Sequence, residues 1–275
     1  MTGSGERELL LGRRTPVVDA YSPELLYPIP RAHARRELGL AEPAPFTGVD
    51  VWYAYELSWL DPRGKPVVRV GCLTVPANSP VMVESKSLKL YLNSLNNTRL
   101  DSDRAASELI RRDIGAVVGS AVELVLFEPD DPALAGASPR GVCLDPLPVT
   151  VPEGGPRPEL VAMTDGEVLE EQLYSHLLRS LCPVTGQPDW ATVWVHYRGR
   201  PVDHRALLRY ILAYRQHQAF HEQCVEQMYR DIHATCEPEY LAVQALYTRR
   251  GGLDISPLRC SPGSAAEPLP RLNRQ

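Results

Sequence analysis

The feature that constrains this chain most is an order of predicted elements that occurs twice: two strands, two helices and a closing strand. In the first half, aromatic and β-branched residues on both sides of a turn predict a hairpin of strands, Val49–Leu60 and Pro66–Pro76. Apolar residues at helical spacing follow, and strand character returns at the end of the half. The predicted ranges are Ser87–Asn97 and Ser102–Arg112 for the helices and Ala116–Phe127 for the strand.

The second half repeats this order after a stretch rich in proline and glycine. That stretch, Glu128–Pro158, predicts a connector with one short strand at Leu147–Val151. The repeat comprises strands Glu170–Ser180 and Ala191–Tyr197, helices Val202–Arg215 and Phe220–Ala234, and strand Tyr240–Thr248. We therefore predict an α+β fold of two tandem modules with antiparallel sheets. The modules are residues 1–140 and 141–260, and the composition of residues 261–275 predicts a disordered tail.

Charge and composition argue against several classes of protein. The formal net charge is −5 and no block of Lys or Arg occurs, so no nucleic-acid partner is expected. No apolar run is long enough to cross a bilayer, and Met1–Arg14 lacks a convincing cleavable signal, so we expect a cytoplasmic protein with no membrane partner. The six cysteines include no C-x-x-C pair, which argues against a disulfide framework. No G-x-G-x-x-G follows a predicted strand, so a Rossmann domain is not expected.

Two of the four segments that could carry chemistry point to anion binding. Ser85 or Ser87 can cap the helix that follows Glu84, and Lys86 adds a positive charge suited to phosphate. Taken alone, a capped helix start with solvated charges is the better interpretation. The stretch Tyr247–Pro257, with two arginines before two glycines, is by itself a weak phosphate signal.

The other two segments contain cysteines. Cys182 begins a proline-rich turn that can hold a thiol exposed, and Asp189 can meet it across the turn. A carboxylate raises the pKa of a nearby thiol, so Asp189 fits better as a proton carrier for a group that the sulfur attacks. A buried cysteine and a turn-forming aspartate are equally consistent. On a helix, His217, His221 and Cys224 would share one face, yet a fourth metal ligand is missing and a polar helix surface is favoured.

Together, these segments resemble the 7-cyano-7-deazaguanine reductases, the nitrile reductases of queuosine biosynthesis (QueF family), in their longer, two-module form. Four motifs carry the resemblance: E-S-K-S-L-K-L-Y-L-N-S from Glu84, C-P-V-T-x-Q-P-D-W from Cys182, H-E-Q-C-V-E from His221 and Y-T-R-R-G-G-L-D-I from Tyr247. The stretch Tyr27–Arg31 also fits, and the match runs nearly end to end apart from the tail. Leu181 departs from the pattern, since many relatives carry Asn before the cysteine, which puts the polarity around the thiol in doubt.

The resemblance implies a fold, an assembly and a reaction. The fold is the tunnelling fold (T-fold), with four-stranded antiparallel sheets each backed by two helices, and such modules form homo-oligomers, here expected as a homodimer. The reaction is the NADPH-dependent conversion of the nitrile of 7-cyano-7-deazaguanine into an aminomethyl group, with two NADPH consumed per turnover. Cys182 would attack the nitrile carbon to give a thioimidate, and Asp189 would supply the proton.

The resemblance also assigns binding roles by motif position. The base pocket is assigned to Val83, Glu84, Ser85, His221 and Glu222. The ribose and phosphates of NADPH are assigned to Ser85, Lys86, Arg250 and Gly251, and no metal site is expected. Glu222 would accept the N–H groups of the base through both carboxylate oxygens. Since Glu84 and Cys182 come from different modules, we expect the site at a module or subunit boundary.

Two other functions stay open at this stage. A zinc cyclohydrolase of the same fold would use Cys182, His217 or His221, and Cys224 as ligands. A non-catalytic base-binding module would keep the pocket but would have no need of a nucleophile.

Overall fold

The two predicted hairpins belong to one continuous sheet. The structure is a computed structural model that describes residues 18–264 and 266–275, and the N-terminal stretch Met1–Arg14 lies outside the described residues. The elements of the first half are β1 (Pro28–Pro30), α1 (Arg31–Glu37), β2 (Thr47–Leu60), β3 (Pro66–Pro76), β4 (Val81–Val83), α2 (Ser85–Ser94), α3 (Asp103–Val118) and β5 (Glu123–Phe127). Those that follow are β6 (Val142–Cys143), β7 (Leu169–Leu181), β8 (Pro188–Gly199), α4 (His204–Ala213), α5 (His221–Cys236), β9 (Tyr240–Tyr247) and β10 (Leu253–Cys260).

The order of strands in the main sheet is β5-β3-β2-β10-β9-β8-β7-β6, so the final strand joins the two halves. Strand β10 pairs antiparallel with β2 on one side, from Leu253 opposite Ala54 to Cys260 opposite Thr47, and with β9 on the other. The α+β class is confirmed, and the arrangement of two tandem four-stranded modules stays a prediction. The eight strands are hydrogen-bonded into one sheet, and β6 pairs with β7 in parallel.

Two hydrophobic cores lie on the helix-covered face of this sheet. In the first core, residues of α2 and α3 such as Leu88 and Ile110 pack against β2, β3 and the start of β10. In the second core, residues of α4 and α5 such as Leu207 and Met228 pack against β7, β8 and β9. Ile255 of β10 belongs to the first core although it comes from the second half of the sequence. The first core is therefore complete only when the end of the chain is in place.

Helix α3 begins and ends at clear capping residues. The Ser102 hydroxyl accepts the Ala105 N–H at 3.2 Å at the start of α3, and Gly119, with φ of +69°, ends it in the left-handed conformation. The predicted strand from Ala116 is therefore wrong in its first residues, which extend the helix. The predicted strand at Leu147–Val151 is also absent, and the connector instead contributes the two residues of β6.

Strand β10 was missed because every one of its residues is buried. Burial on both faces removes the alternation of polar and apolar residues that marks a half-buried strand. The prediction of a disordered tail is also wrong for residues 266–275. Leu272 is 3% exposed, and the Leu269 N–H donates to Gln244 at 2.8 Å, on the face of the sheet opposite the second core. Every helix in the described part of the chain is too short or too polar to cross a bilayer.

Candidate active site

Cys182 lies in the turn from β7 to β8, where two cavities meet. Its N–H donates to the Gln187 carbonyl at 2.8 Å and its own carbonyl accepts the Gly186 N–H at 2.9 Å, so hydrogen bonds close the turn. The residue is only 3% exposed. Nevertheless, it lines a cavity of about 320 Å³ on one side and a narrower pocket on the other. The thiol is therefore protected from bulk water and still borders space that a ligand can enter.

Asp189 faces the same narrow pocket and is held by two basic side chains. It lies at the start of β8, directly across the hairpin from Ser180, and is 3% exposed. One carboxylate oxygen is 2.9 Å from Nε of Arg250, and the other is 3.3 Å from Nε2 of His221. The predicted approach of Asp189 to the cysteine is thus accompanied by contacts that orient the carboxylate.

His221 is the first residue of α5 and borders both cavities. Its ring stacks on Tyr247 with centroids 3.7 Å apart and planes inclined by 10°. Nδ1 of His221 is buried and finds no hydrogen-bond partner among the described residues. A buried polar atom without a partner is costly, so this nitrogen is suited to a polar group of a bound ligand.

Glu222 presents a carboxylate to the narrow pocket. The residue is 4% exposed, and its carboxylate is hydrogen-bonded to its own backbone N–H. Burial, and after it the charge of Asp50, raises the pKa of Glu222. A buried carboxylate can accept more hydrogen bonds than its own backbone N–H supplies, which favours a ligand that brings N–H groups to it.

Glu84 caps helix α2 with its carboxylate. It accepts the backbone N–H of Lys86 at 2.8 Å and that of Ser87 at 2.7 Å, so the expectation that Ser85 or Ser87 forms the cap is wrong. Val83 and Glu84 border the narrow pocket, and Ser85 borders both cavities. All five residues assigned to the base pocket are therefore brought together.

The narrow pocket lies between the two halves of a single chain. The first half contributes Trp52 and Met82 to its lining, and the second half contributes Pro183 and Phe220. Strand β1 pairs with β4, and this pairing places Ile29 of β1 in the wall of the same pocket. The expected boundary site is thus formed within one chain.

The larger cavity is lined by three cationic side chains, Lys86, Lys89 and Arg250, and by one carboxylate, Asp254. Gly251 takes φ of +59°, and a Cβ added there would lie 2.9 Å from Nζ of Lys89. The positive φ favours glycine here, and an added Cβ would also require the tip of Lys89 to move. The four residues assigned to NADPH all border this cavity, whose excess of positive charge fits a dinucleotide phosphate.

The face of His217, His221 and Cys224 that was considered as an alternative metal site is not formed. His217 lies before α5, which begins at His221, so these two residues and Cys224 do not share one helix. Burial lowers the pKa of His217. Among the residues that the structure describes, no group of three or more His, Cys, Asp or Glu side chains is arranged to hold a metal ion.

Two contacts of the site were not predicted from the sequence. Tyr247 supports the His221 ring, and Arg250 pairs with Asp189 in addition to bordering the larger cavity. Both residues belong to the predicted Tyr247–Pro257 segment. Their spacing therefore indicated a ligand site but not which side chains they would contact.

A cysteine beside an oriented carboxylate, next to a cationic cavity, is typical of an enzyme that uses a thiol nucleophile. Comparison with known proteins identifies the family. Residues 17–126 match the model of the nitrile reductase, 7-cyano-7-deazaguanine-reductase N-terminal family, and residues 188–265 match that of QueF-like proteins.

Similar proteins agree over nearly the whole chain. The NADPH-dependent 7-cyano-7-deazaguanine reductase of Dechloromonas aromatica is 52% identical over 96% of this chain and 94% of its own. The proteins of the same name from Stenotrophomonas maltophilia and Chromohalobacter salexigens are 51% and 49% identical, over 93% and 96% of this chain and of their own. The chain belongs to the family of NADPH-dependent 7-cyano-7-deazaguanine reductases. A solved structure, that of an archaeosine synthase QueF-Like in the apo form, covers 37% of this chain at 18% identity with a TM-score of 0.32, too low to define a shared fold.

Proposed function

We propose that this chain is an NADPH-dependent 7-cyano-7-deazaguanine reductase, which converts the nitrile of its substrate into an aminomethyl group for queuosine biosynthesis. The observation that carries the proposal is the meeting of Cys182, Asp189 and the buried carboxylate of Glu222 around one pocket. Sequence identities of 52% and 51% to reductases of this name, over almost the full length, support it.

Recognition of the base rests on Glu222. The ring edge of a deazaguanine presents an N–H and an exocyclic amine side by side, and a carboxylate accepts both in a bidentate contact. Nδ1 of His221, the residue before Glu222, lacks a hydrogen-bond partner among the described residues. Glu84, whose oxygens cap α2, contributes through its position in the pocket wall and through the adjoining backbone of Val83 and Ser85.

The covalent step uses Cys182 and Asp189. The sulfur adds to the electrophilic nitrile carbon, one π bond of the nitrile breaks, and the thiol proton ends on the nitrile nitrogen to give a thioimidate. Asp189 carries this proton, and its contacts with Arg250 and His221 hold the carboxylate in place for the transfer. The low exposure of Cys182 and Asp189 keeps water away from the imine that precedes the second reduction. Water would otherwise hydrolyse that imine to an aldehyde.

NADPH, when bound, supplies the hydrides that reduce the carbon, two per turnover. Ser85, Lys86, Arg250 and Gly251 are the residues that would hold it, in the larger cavity beside the thiol. Ser85 and Lys86 lie at the N-terminus of α2, where the helix dipole adds to their attraction for phosphate.

We further propose a T-fold of two tandem modules, divided near residue 140, in which β10 serves as the fourth strand of the first module. The support is the division of the sheet into β5-β3-β2-β10 over α2 and α3 and β9-β8-β7-β6 over α4 and α5. A homodimer in the cytoplasm completes the proposal. The unpaired outer edges of β5 and β6 in the described residues, and six cysteines without disulfides, agree with it.

Intact-mass analysis after incubation with the nitrile base alone tests the covalent step. A mass increase equal to one base is expected for the wild-type protein, and none for Cys182→Ala, which should also lose NADPH oxidation. Cys143→Ala, on the short strand β6, is the matched control and should behave like the wild type. Saturating base that leaves the wild-type mass unchanged would overturn the thioimidate.

A further inference from the structure

Next to the base pocket lies a group of buried charges that the proposed chemical steps do not use. We define the ionic cluster as Arg31, Arg35, Asp50, Glu226 and Arg259. Arg259 is 0% exposed, Asp50 1%, Glu226 2% and Arg31 4%. Removing ions from water costs several kcal/mol each, roughly, so such a cluster persists only when its members are well paired.

The pairing within the ionic cluster is dense. Asp50 accepts from Arg259 at 2.7 Å and from Arg31 at 2.5 Å. Glu226 accepts from Arg259 at 3.0 Å and from Arg35 at 2.7 Å, and Arg31 lies 4.0 Å from it. Burial raises the pKa of both carboxyl groups, but the arginines outweigh it and hold each pKa below its usual value. Both carboxylates are therefore ionised at neutral pH.

Three elements, β2, β10 and α5, each give one residue to the base pocket and a neighbouring residue to the ionic cluster, and a fourth such pair spans the end of β1 and the start of α1. The pairs are Ile29 and Arg31, Trp52 and Asp50, Ile255 and Arg259, and Glu222 and Glu226. Even spacing on β2 and β10 places both members of a pair on one face of the strand, and a spacing of four does the same on α5. The cluster is thus continuous with the floor of the pocket.

The charges of the ionic cluster do not balance without Glu222. Three arginines and two carboxylates leave one positive charge, and the ionised form of Glu222 neutralises it. Burial and the charge of Asp50 raise the pKa of Glu222, whereas His221 and Arg31 act in the opposite direction. Arg35 and Arg259 are not among the groups that act most on it.

We propose that Arg31 is a positioning residue for base recognition, whose buried positive charge keeps Glu222 anionic and able to accept the N–H groups of the base. This inference rests on the proposed role of Glu222. The other charged or titratable groups around Glu222 are Asp50 on β2, His221 and Glu226 on its own helix, and Glu84, Asp189 and Arg250 in the pocket wall.

The test measures binding of 7-deazaguanine, which keeps the ring-edge donors of the substrate and has no nitrile to react. Affinity is followed from about pH 5.5 to about pH 8.5, and it should fall as the pH drops through the pKa of Glu222. In Arg31→Gln, the midpoint of this curve should rise by about one unit, so affinity should fall about tenfold at pH values below both midpoints and recover at the alkaline end. Arg31→Lys keeps the charge and should keep the midpoint.

Two further variants separate charge from general loosening of the protein. Arg35→Gln is the matched control, since Arg35 pairs with Glu226 in the same cluster, and its midpoint should stay within about 0.3 units of the wild type. Asp50→Asn removes a charge that opposes ionisation of Glu222, so its midpoint should move down. An unmoved midpoint in Arg31→Gln, or an equal shift in Arg35→Gln, overturns the inference. If Arg31→Gln does not fold, the absence of a downward shift in Asp50→Asn overturns it instead.

Glu222→Gln distinguishes this inference from the function on which it rests. Weak and pH-independent binding in that variant, together with an unmoved midpoint in Arg31→Gln, refutes only the role of Arg31. Wild-type affinity in Glu222→Gln refutes the assignment of Glu222 as the base acceptor.

Discussion

Nε of Arg250 lies 2.9 Å from a carboxylate oxygen of Asp189, which links the wall of the cofactor cavity to the proposed proton carrier. The Arg250 side chain is 38% exposed, so its outer part faces the larger cavity while its Nε holds a carboxylate that is 3% exposed. Through this pair, a ligand that displaces Arg250 in the larger cavity also changes the surroundings of Asp189 in the narrow pocket.

Asp189→Asn should slow adduct formation with the nitrile base by about two to four orders of magnitude, because the amide cannot carry the proton. Binding of 7-deazaguanine should stay within a few fold of the wild type. The measurement is the rate of mass increase on mixing with the nitrile base. Asp203→Asn, which changes the cap of α4 away from the pocket, is the control, and an Asp189→Asn rate equal to that of the control would exclude the proton-carrier role.

Gly251→Ala should raise the KM for NADPH by about tenfold, since about 1 kcal/mol or more of strain accompanies an alanine in the left-handed conformation. The added Cβ would also displace the Lys89 ammonium, which lies 2.9 Å away. Adduct formation in the absence of NADPH should be unchanged. Steady-state kinetics against NADPH, with Gly263→Ala as a control of the same φ sign and with open space around it, check this expectation. Equal KM values in both variants would place the cofactor elsewhere.

Arg259→Met should lower the free energy of unfolding by about 3–5 kcal/mol, because it leaves Asp50 and Glu226 buried with too few partners. Arg104→Met is the control, since Arg104 forms an exposed pair with Glu108 on α3. That change should stay within about 0.5 kcal/mol. Urea unfolding measures the free energy of unfolding of both variants. Similar midpoints would show that the ionic cluster does not stabilise the fold.

Asp254→Asn should stabilise the protein at neutral pH and not at about pH 4. Burial raises the pKa of Asp254 from its usual 3.8 to about 6, so the folded state holds a proton that the unfolded state has released between these values. Stability therefore falls as the pH rises through this window, and the cost of the buried charge is complete above it. The asparagine variant lacks this cost, which amounts to about 2–3 kcal/mol.

Unfolding curves at several pH values check the Asp254 prediction. The difference between Asp254→Asn and the wild type should grow from near zero in acid to its full value above about pH 6. Asp130→Asn, in an exposed turn, should give no such trend. A constant difference across the range would mean that Asp254 does not titrate in this window.

Much of the fold was predictable because its signals are local. The two hairpins follow from aromatic and β-branched residues around turns, and the four main helices follow from apolar residues at helical spacing. Strand β10 gave no such signal, because its residues are buried on both faces. The order of strands in the sheet depends on pairing between residues far apart in the sequence, such as Leu253 and Ala54, which periodicity does not encode.

The members of the site were predictable from the motifs, but their contacts were not. Cys182 and Asp189 lie on one hairpin, and the short turn brings them together. The stacking of His221 on Tyr247 and the pairing of Arg250 with Asp189 depend on tertiary packing. The cap that Glu84 forms is local, but serine is the more usual capping residue and two serines follow it directly. The residues of the ionic cluster come from four separate elements, so no single stretch of sequence predicts it.

Pairing of β2 with β10 has a consequence for how the chain emerges from the ribosome. Translation proceeds at about 5–20 residues per second, so an interval on the order of ten seconds or more separates the synthesis of β2 from that of its partner strand β10. During that interval the nascent first half exposes an open edge and apolar side chains that later meet Leu253 and Ile255. The last strand to be synthesised closes the first half, and a chain that stalls before Leu253 exposes the surface that favours aggregation.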